Sequence, residues 1–144
     1  MTQSATRRCL DILELLVKHP RGLGLTEICE DRHIPKSVAH RLLALLTERG
    51  FVRQDGENAR YGLTLKLTLL GARYYVGTGL SDVGQPILDR LAGETGELAR
   101  LALVEGHGLV WVAKAQGARY GLKYDPDTGM HVVLHATATG KVWL

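Results

Sequence analysis

The chain has only two cysteines in 144 residues, Cys9 and Cys29. Both sit in apolar helical patterns, so two buried thiols are expected rather than a disulfide. No apolar run approaches the roughly eighteen residues that a membrane span needs, and no signal-peptide pattern opens the chain. A cytoplasmic protein without a membrane partner is the expectation. Complete catalytic motifs are also missing. The stretch from His135 to Gly140-Lys141-Val142 lacks the first Gly and the final Ser/Thr of a phosphate loop. His131 and His135 are four residues apart, but nothing beside them in sequence completes a set of metal ligands. No Ser/His/Asp or Cys/His set has supporting spacing. The sequence calls for no cofactor and no metal, and reads as a non-enzyme.

What is present is a soluble globular composition, 45% apolar and 23% charged. The net charge of +3 is unevenly spread. Residues 1–79 hold 12 Lys/Arg against 8 Asp/Glu, while residues 80–144 hold 6 against 7. A basic first half beside a near-neutral second half points to a polyanion partner for the first half alone.

The most informative stretch is 34–51. Pro35 suits a helix start, where a missing N–H costs nothing. Val38, Leu42, Leu45 and Leu46 recur at helical spacing, and Gly50 fits a left-handed stop. Lys36, Ser37, His40 and Arg41 fall off the apolar stripe near the helix N-terminus. There they can donate to guanine edges and phosphates in a DNA major groove. Residues 25–31 form a short preceding helix with Leu25, Ile28 and Cys29 inward. His33 leads into the next helix after a very short turn, which makes a helix-turn-helix. Residues 5–18 form a first helix with Cys9, Leu10, Leu13, Leu16 and Val17 on its apolar face. Arg7 and Arg8 sit at its start, where the helix dipole disfavours cations and a phosphate partner would favour them.

After Gly50 the period changes. Residues 51–54 and 60–63 read as strands joined by a turn at 55–59. This hairpin is a wing, with Arg53, Asn58 and Arg60 as candidates for backbone or minor-groove contacts and Phe51 and Tyr61 packed on the core. Thr64 can cap a linker helix running to about residue 76. Its Leu63, Leu67, Leu70 and Tyr74 have heptad-like spacing that suits pairing with a like helix. Gly77-Thr78-Gly79 is a break. A helix over 83–95, a hairpin of residues 98–105 and 109–116, short strands at 120–124 and 132–134, and the first turns of a final helix follow. The sheet has few covering helices, so an incomplete domain is expected.

Taken in order, Arg8-Cys-Leu-Asp-Ile-Leu-Glu-Leu-Leu16, Ile34-Pro-Lys-Ser-Val-Ala-His-Arg-Leu-Leu43, Gly50-Phe-Val, Arg60-Tyr-Gly-Leu63 and Leu134-His-Ala-Thr-Ala-Thr-Gly-Lys141 resemble the IclR-type transcriptional regulators. The resemblance implies an α+β chain: a winged helix-turn-helix over 1–63, a linker helix over 64–79 and part of an α/β effector-binding domain over 80–144. It implies a sequence-specific regulator that binds double-stranded DNA as a homodimer or tetramer, under control of a small carboxylate effector. Lys36, Ser37, His40 and Arg41 would enter the major groove, with Arg7 or Arg8 and the wing on phosphates. Effector contacts would fall at Val132, Ala138 and Thr139, the last two through backbone amides. A helix N-terminus favours such an anion. Gly24, His33 and Val133 depart from the family's usual Ser or Thr, Gly and Pro. The competing reading is a ligand-sensing or dimerisation fragment without DNA-binding activity of its own.

Overall fold

The computed structural model describes residues 4–121 and 123–144. They form two compact units that divide between Ala72 and Arg73. The first unit carries helices α1 (Ala5–Val17), α2 (Leu25–Arg32) and α3 (Lys36–Glu48), then strands β1 (Val52–Gln54) and β2 (Tyr61–Leu63). Helix α4 (Lys66–Gly77) contains the division. The second unit carries α5 (Leu80–Thr95), β3 (Leu98–Glu105), β4 (Gly108–Gln116), a 3-10 turn (Leu134–Ala136) and α6 (Ala138–Trp143). No helix among the described residues is long and apolar enough to cross a membrane.

The first core collects Ile12, Leu15 and Leu16 from α1, Ile28 from α2, Ala39, Leu42, Leu43 and Leu46 from α3, and Val52 and Tyr61 from the wing. Each large side chain buried there contributes roughly 1.5–3 kcal/mol. The faces are rotated from the sequence reading. In α1, Leu10 and Val17 are 55% and 61% exposed, and Ile12 and Leu15 replace them inside. In α3, Leu45 is 47% exposed while Ala39 and Leu43 are buried. Every third or fourth position was apolar on more than one stripe, and packing against three neighbours selected between them. Cys9 and Cys29 are free, half-buried thiols at the edge of this core.

Local signals explain the boundaries. Ser4 Oγ accepts the Arg7 N–H at 3.3 Å and caps α1. Helix α3 ends as anticipated at Gly50, whose φ is +72°. The Gly50 N–H reaches Thr47 O and the Phe51 N–H reaches Leu46 O, both at 2.9 Å, which is a Schellman closure. His33 terminates α2 in the left-handed region, with φ +52°.

The wing strands pair antiparallel, with Val52 opposite Leu63 and Gln54 opposite Tyr61. Leu23 joins them through a bridge to Tyr61. Gly22 makes that approach possible, since a Cβ there would lie 2.7 Å from Tyr61 O. Leu63 therefore belongs to the wing and not to the linker helix. Thr64 Oγ1 accepts the Lys66 N–H at 3.2 Å and sets the start of α4.

In the second unit, β3 and β4 form a two-stranded antiparallel sheet against which α5 packs. Helix α5 starts at Leu80, three residues earlier than the sequence reading. The strand expected at 120–124 is absent among the described residues, and Leu122 lies outside them. The strand expected at 132–134 reduces to a bridge between His131 and Val110. There Trp111 N–H donates to Met130 O and Val132 N–H to Leu109 O. The chain then turns into the 3-10 segment before more pairing can form.

Candidate nucleic-acid interface

Lys36, Ser37, His40 and Arg41 occupy the first two turns of α3, and all four are exposed. Lys36 and His40, and Ser37 and Arg41, are four residues apart, so the set forms one continuous face. Their opposite face is fixed by buried Ala39, Leu42, Leu43 and Leu46. No ion pair engages Lys36 or Arg41 among the described residues, so Arg41 is not spent on Glu48. Arg7 is exposed at the start of α1, and Arg8 is half-buried there with a sheltered Nε.

The three wing candidates separate. Arg53 is exposed on β1 opposite Gly62. Asn58 is exposed in the turn, but its Oδ1 accepts the Arg60 N–H at 2.9 Å, so it shapes the loop. Asp55 completes that loop by accepting the N–H of Glu57 at 2.8 Å and of Asn58 at 3.4 Å. These two bonds hold the Asp55 carboxyl below its ordinary range, with a smaller contribution from the Arg53 charge.

Arg60 has partners within the first unit. Its guanidinium donates to Gly22 O at 2.9 and 3.2 Å and pairs with Glu27 at 3.1 Å. Those donors are turned inward, and the side chain fastens the wing to the turn before α2. Glu27 accepts the Gly24 N–H at 2.6 Å as well, half of a capping box on a glycine cap. That bond first, then the Arg60 charge, lowers the Glu27 carboxyl below its ordinary range.

In the second unit Val132 is buried against Leu109 and Trp111. Ala138 and Thr139 open α6 after Thr137, whose Oγ1 accepts the Gly140 N–H at 3.0 Å. Cap and buried Val132 are thus brought into one stretch, with Ala138 exposed and Thr139 half-buried.

With a helix-turn-helix, a wing and a following sheet domain in place, comparison with known proteins decides the lineage. Residues 5–56 match the family model for the IclR helix-turn-helix domain, and residues 72–144 match that for the bacterial transcriptional regulator IclR C-terminal domain. The chain belongs to the IclR family. It is 28% identical over 144 residues to the transcriptional repressor IclR of Escherichia coli K12, covering 99% of this chain and 52% of that protein. It is 31% identical to the HTH-type transcriptional regulator XynR of the same organism, covering 97% of this chain and 56% of that protein. The crystal structure of Thermotoga maritima IclR superposes with a TM-score of 0.71 at 29% identity, covering 94% of this chain and 54% of that one. This chain spans about half the length of the curated relatives it matches. The two Escherichia coli proteins are a transcriptional repressor and a transcriptional regulator by name, and the fold class and family expected from the sequence hold.

Against the IclR pattern, Gly24 caps α2 without a side-chain oxygen, and the one capping bond present is the other half of the box, from the Gly24 N–H to the Glu27 carboxylate. His33 takes the left-handed turn that glycine usually fills in the family. Sequence reasoning missed Glu27 and Asp55, the two acids that shape the wing region. The Glu three residues after a cap position was a legible signal for Glu27. Nothing local linked it to Arg60, 33 residues away.

Proposed function

We propose that this chain is the DNA-binding part, with a portion of the effector domain, of a cytoplasmic sequence-specific transcriptional regulator. The observation that carries the reading is the exposed row of Lys36, Ser37, His40 and Arg41 on the first two turns of α3, flanked by a wing with an exposed Arg53. Helix α3 enters the major groove, Arg41 and Lys36 address base edges, and Ser37 and His40 add shorter contacts. Arg7, Arg8, Arg53 and Asn58 lie on the phosphates. Arg60 is removed from the direct contacts and given the task of placing the wing.

The regulator acts as a homodimer or higher oligomer on a two-fold symmetric operator. Leu70 and Tyr74 on α4, 46% and 77% exposed, supply apolar surface for a second copy. By the family resemblance, a small carboxylate effector meets the amides of Ala138 and Thr139 with Val132 as an apolar wall. The test is an electrophoretic shift of the DNA upstream of the protein's own gene against scrambled DNA, at low and at physiological salt. A shift specific to that DNA and lost in Arg41→Ala supports the reading. A folded protein that shifts neither DNA at low salt leaves a sensing or dimerisation fragment instead.

A further inference from the structure

The Schellman closure of α3 uses the carbonyls of Leu46 and Thr47. Three consecutive carbonyls at and beyond the cap, those of Arg49, Gly50 and Phe51, are bonded instead by the residues that open α4. Lys66 Nζ donates to Arg49 O at 2.5 Å, and Thr64 Oγ1 donates to Gly50 O at 2.5 Å. The Thr64 N–H donates to Phe51 O at 2.9 Å. Thr64 Oγ1 also accepts the Lys66 N–H at 3.2 Å, which joins the two residues to each other. The Lys66 stem crosses Gly50, where a Cβ would lie 3.8 Å from Lys66 Cδ. Its ammonium stands 4.7 Å from the centroid of the Phe51 ring.

Lys66 is poorly suited to its own helix. It is the first residue of α4, whose first turn carries no acid, and the helix dipole disfavours a cation there. Among the described residues no carboxylate pairs with it. The end of α3 supplies the counterweight, since a cation is favoured at a helix C-terminus and a lysine can bond the last carbonyls. An ammonium over an aromatic face adds to that attraction. The charge is thus placed for α3 although its backbone belongs to α4. Phe51 in turn packs on the core that fixes α3. All of these contacts lie within the first unit, which ends at Ala72. The first turn of α4 and the end of α3 therefore form one rigid piece.

We propose that Thr64 and Lys66 are positioning residues that fix the direction in which α4 leaves the end of α3, and thereby the spacing of the operator half-sites that a pair of these chains accepts. This rests on the reading of the chain as a DNA-binding dimer joined along α4. In such a dimer each α3 is carried at a set distance from the shared helices, and half-site separation is the geometric consequence. Base preference stays with Lys36, Ser37, His40 and Arg41, while spacing preference belongs to Thr64 and Lys66.

The experiment is selection by the full chain from a random double-stranded DNA library. Competition follows between the selected site and versions whose spacer is about two base pairs longer or shorter. Wild type, Lys66→Met, Lys66→Arg, Thr64→Val and Thr64→Ser are compared. The wild type is expected to select paired half-sites at one spacing. Losing one such hydrogen bond shifts a conformational preference by about fivefold, so Lys66→Met and Thr64→Val should each lower discrimination against wrong spacers by about that factor. Both should select the wild-type half-site sequence. Lys66→Arg and Thr64→Ser keep a donor for the carbonyl and should restore the spacing preference. Discrimination unchanged in Lys66→Met and Thr64→Val overturns the proposal and leaves the regulator reading intact. Wild-type selection of half-sites without a fixed spacing does the same. A changed half-site sequence in Lys66→Met also overturns it, because the side chain would then act on the recognition face. Selection of no sequence by the wild type overturns the regulator reading itself, and the proposal with it. Should Thr64→Val fail to fold, Lys66→Met and Lys66→Arg decide alone.

Discussion

The Arg60 guanidinium closes on the carbonyl oxygen of Gly22 with two hydrogen bonds, 2.9 and 3.2 Å long. This contact ties the second wing strand to the turn between α1 and α2. It makes Arg60 a positioning residue. Arg60→Ala is expected to destabilise the first unit by about 1–2 kcal/mol, the worth of charge-assisted bonds that are partly exposed. Amide exchange should rise at residues 52–63 while α1 to α3 stay protected. Unchanged wing exchange together with a weaker dependence of DNA affinity on salt would instead make Arg60 a phosphate contact.

The same region carries a pH dependence with a defined sign. Glu27 and Asp55 are held below their ordinary values of 4.5 and 3.8. Carboxyls lowered on folding stabilise the fold at all pH above their ordinary values, and lose that contribution as pH falls through the lowered ones. Wing protection should be level from about pH 8 to about pH 5 and decline below about pH 4. Glu27→Gln should weaken the wing at neutral pH, and its difference from the wild type should vanish in acid. A difference that grows on acidification would contradict this.

Arg41 and Arg53 should fail in different ways. Losing a two-pronged base contact at Arg41 costs roughly 1–3 kcal/mol on the operator and relaxes preference at one base pair. Losing a phosphate contact at Arg53 weakens all sequences alike and lowers the slope of log K against log salt by about one phosphate's worth. Salt titrations of Arg41→Ala and Arg53→Ala on operator and scrambled DNA distinguish them. An Arg41→Ala protein with equal losses on both DNAs and unchanged melting would move Arg41 to the backbone.

His33 holds φ +52° at the turn between the two helices, a conformation that costs a side chain about 1 kcal/mol or more. His33→Gly is expected to stabilise the first unit by about 0.5–1 kcal/mol in urea unfolding, the steric relief outweighing the added freedom of the unfolded chain. Lower stability in His33→Gly would show that the imidazole has an offsetting contact.

Leu70 on α4 is exposed, whereas Leu67 is half-buried beside Leu16 and Val17. Leu70→Asp is therefore the cleaner probe of association. It should shift sedimentation from dimer towards monomer at micromolar concentration and weaken operator binding, with melting of the first unit unchanged. A dimer that survives Leu70→Asp would place the interface elsewhere.

The order and ends of the helices in the first unit, the wing that follows and the exposed row on α3 were legible in the chain's local pattern. Those features rest on short-range physics: the backbone after Pro35, the left-handed stop at Gly50, and the change from helical to alternating period after it. The family followed from five such stretches in order. Packing chose which apolar stripe turned inward, leaving Leu10, Val17 and Leu45 exposed, because two stripes satisfied the same helical spacing. It also decided that Arg60 faces Gly22 and Glu27, 38 and 33 residues away, a distance over which sequence spacing carries no geometry. The segment at 120–134 followed the same logic. Its residues have strand-like composition, yet a strand exists only where a neighbour offers an edge, and among the described residues of this segment pairing beside β4 is confined to 129–132. The register of β3 against β4 shifts between Leu101, opposite Ala113, and Ala102, opposite Trp111, leaving Val112 as a bulge, and register is a property of the pair.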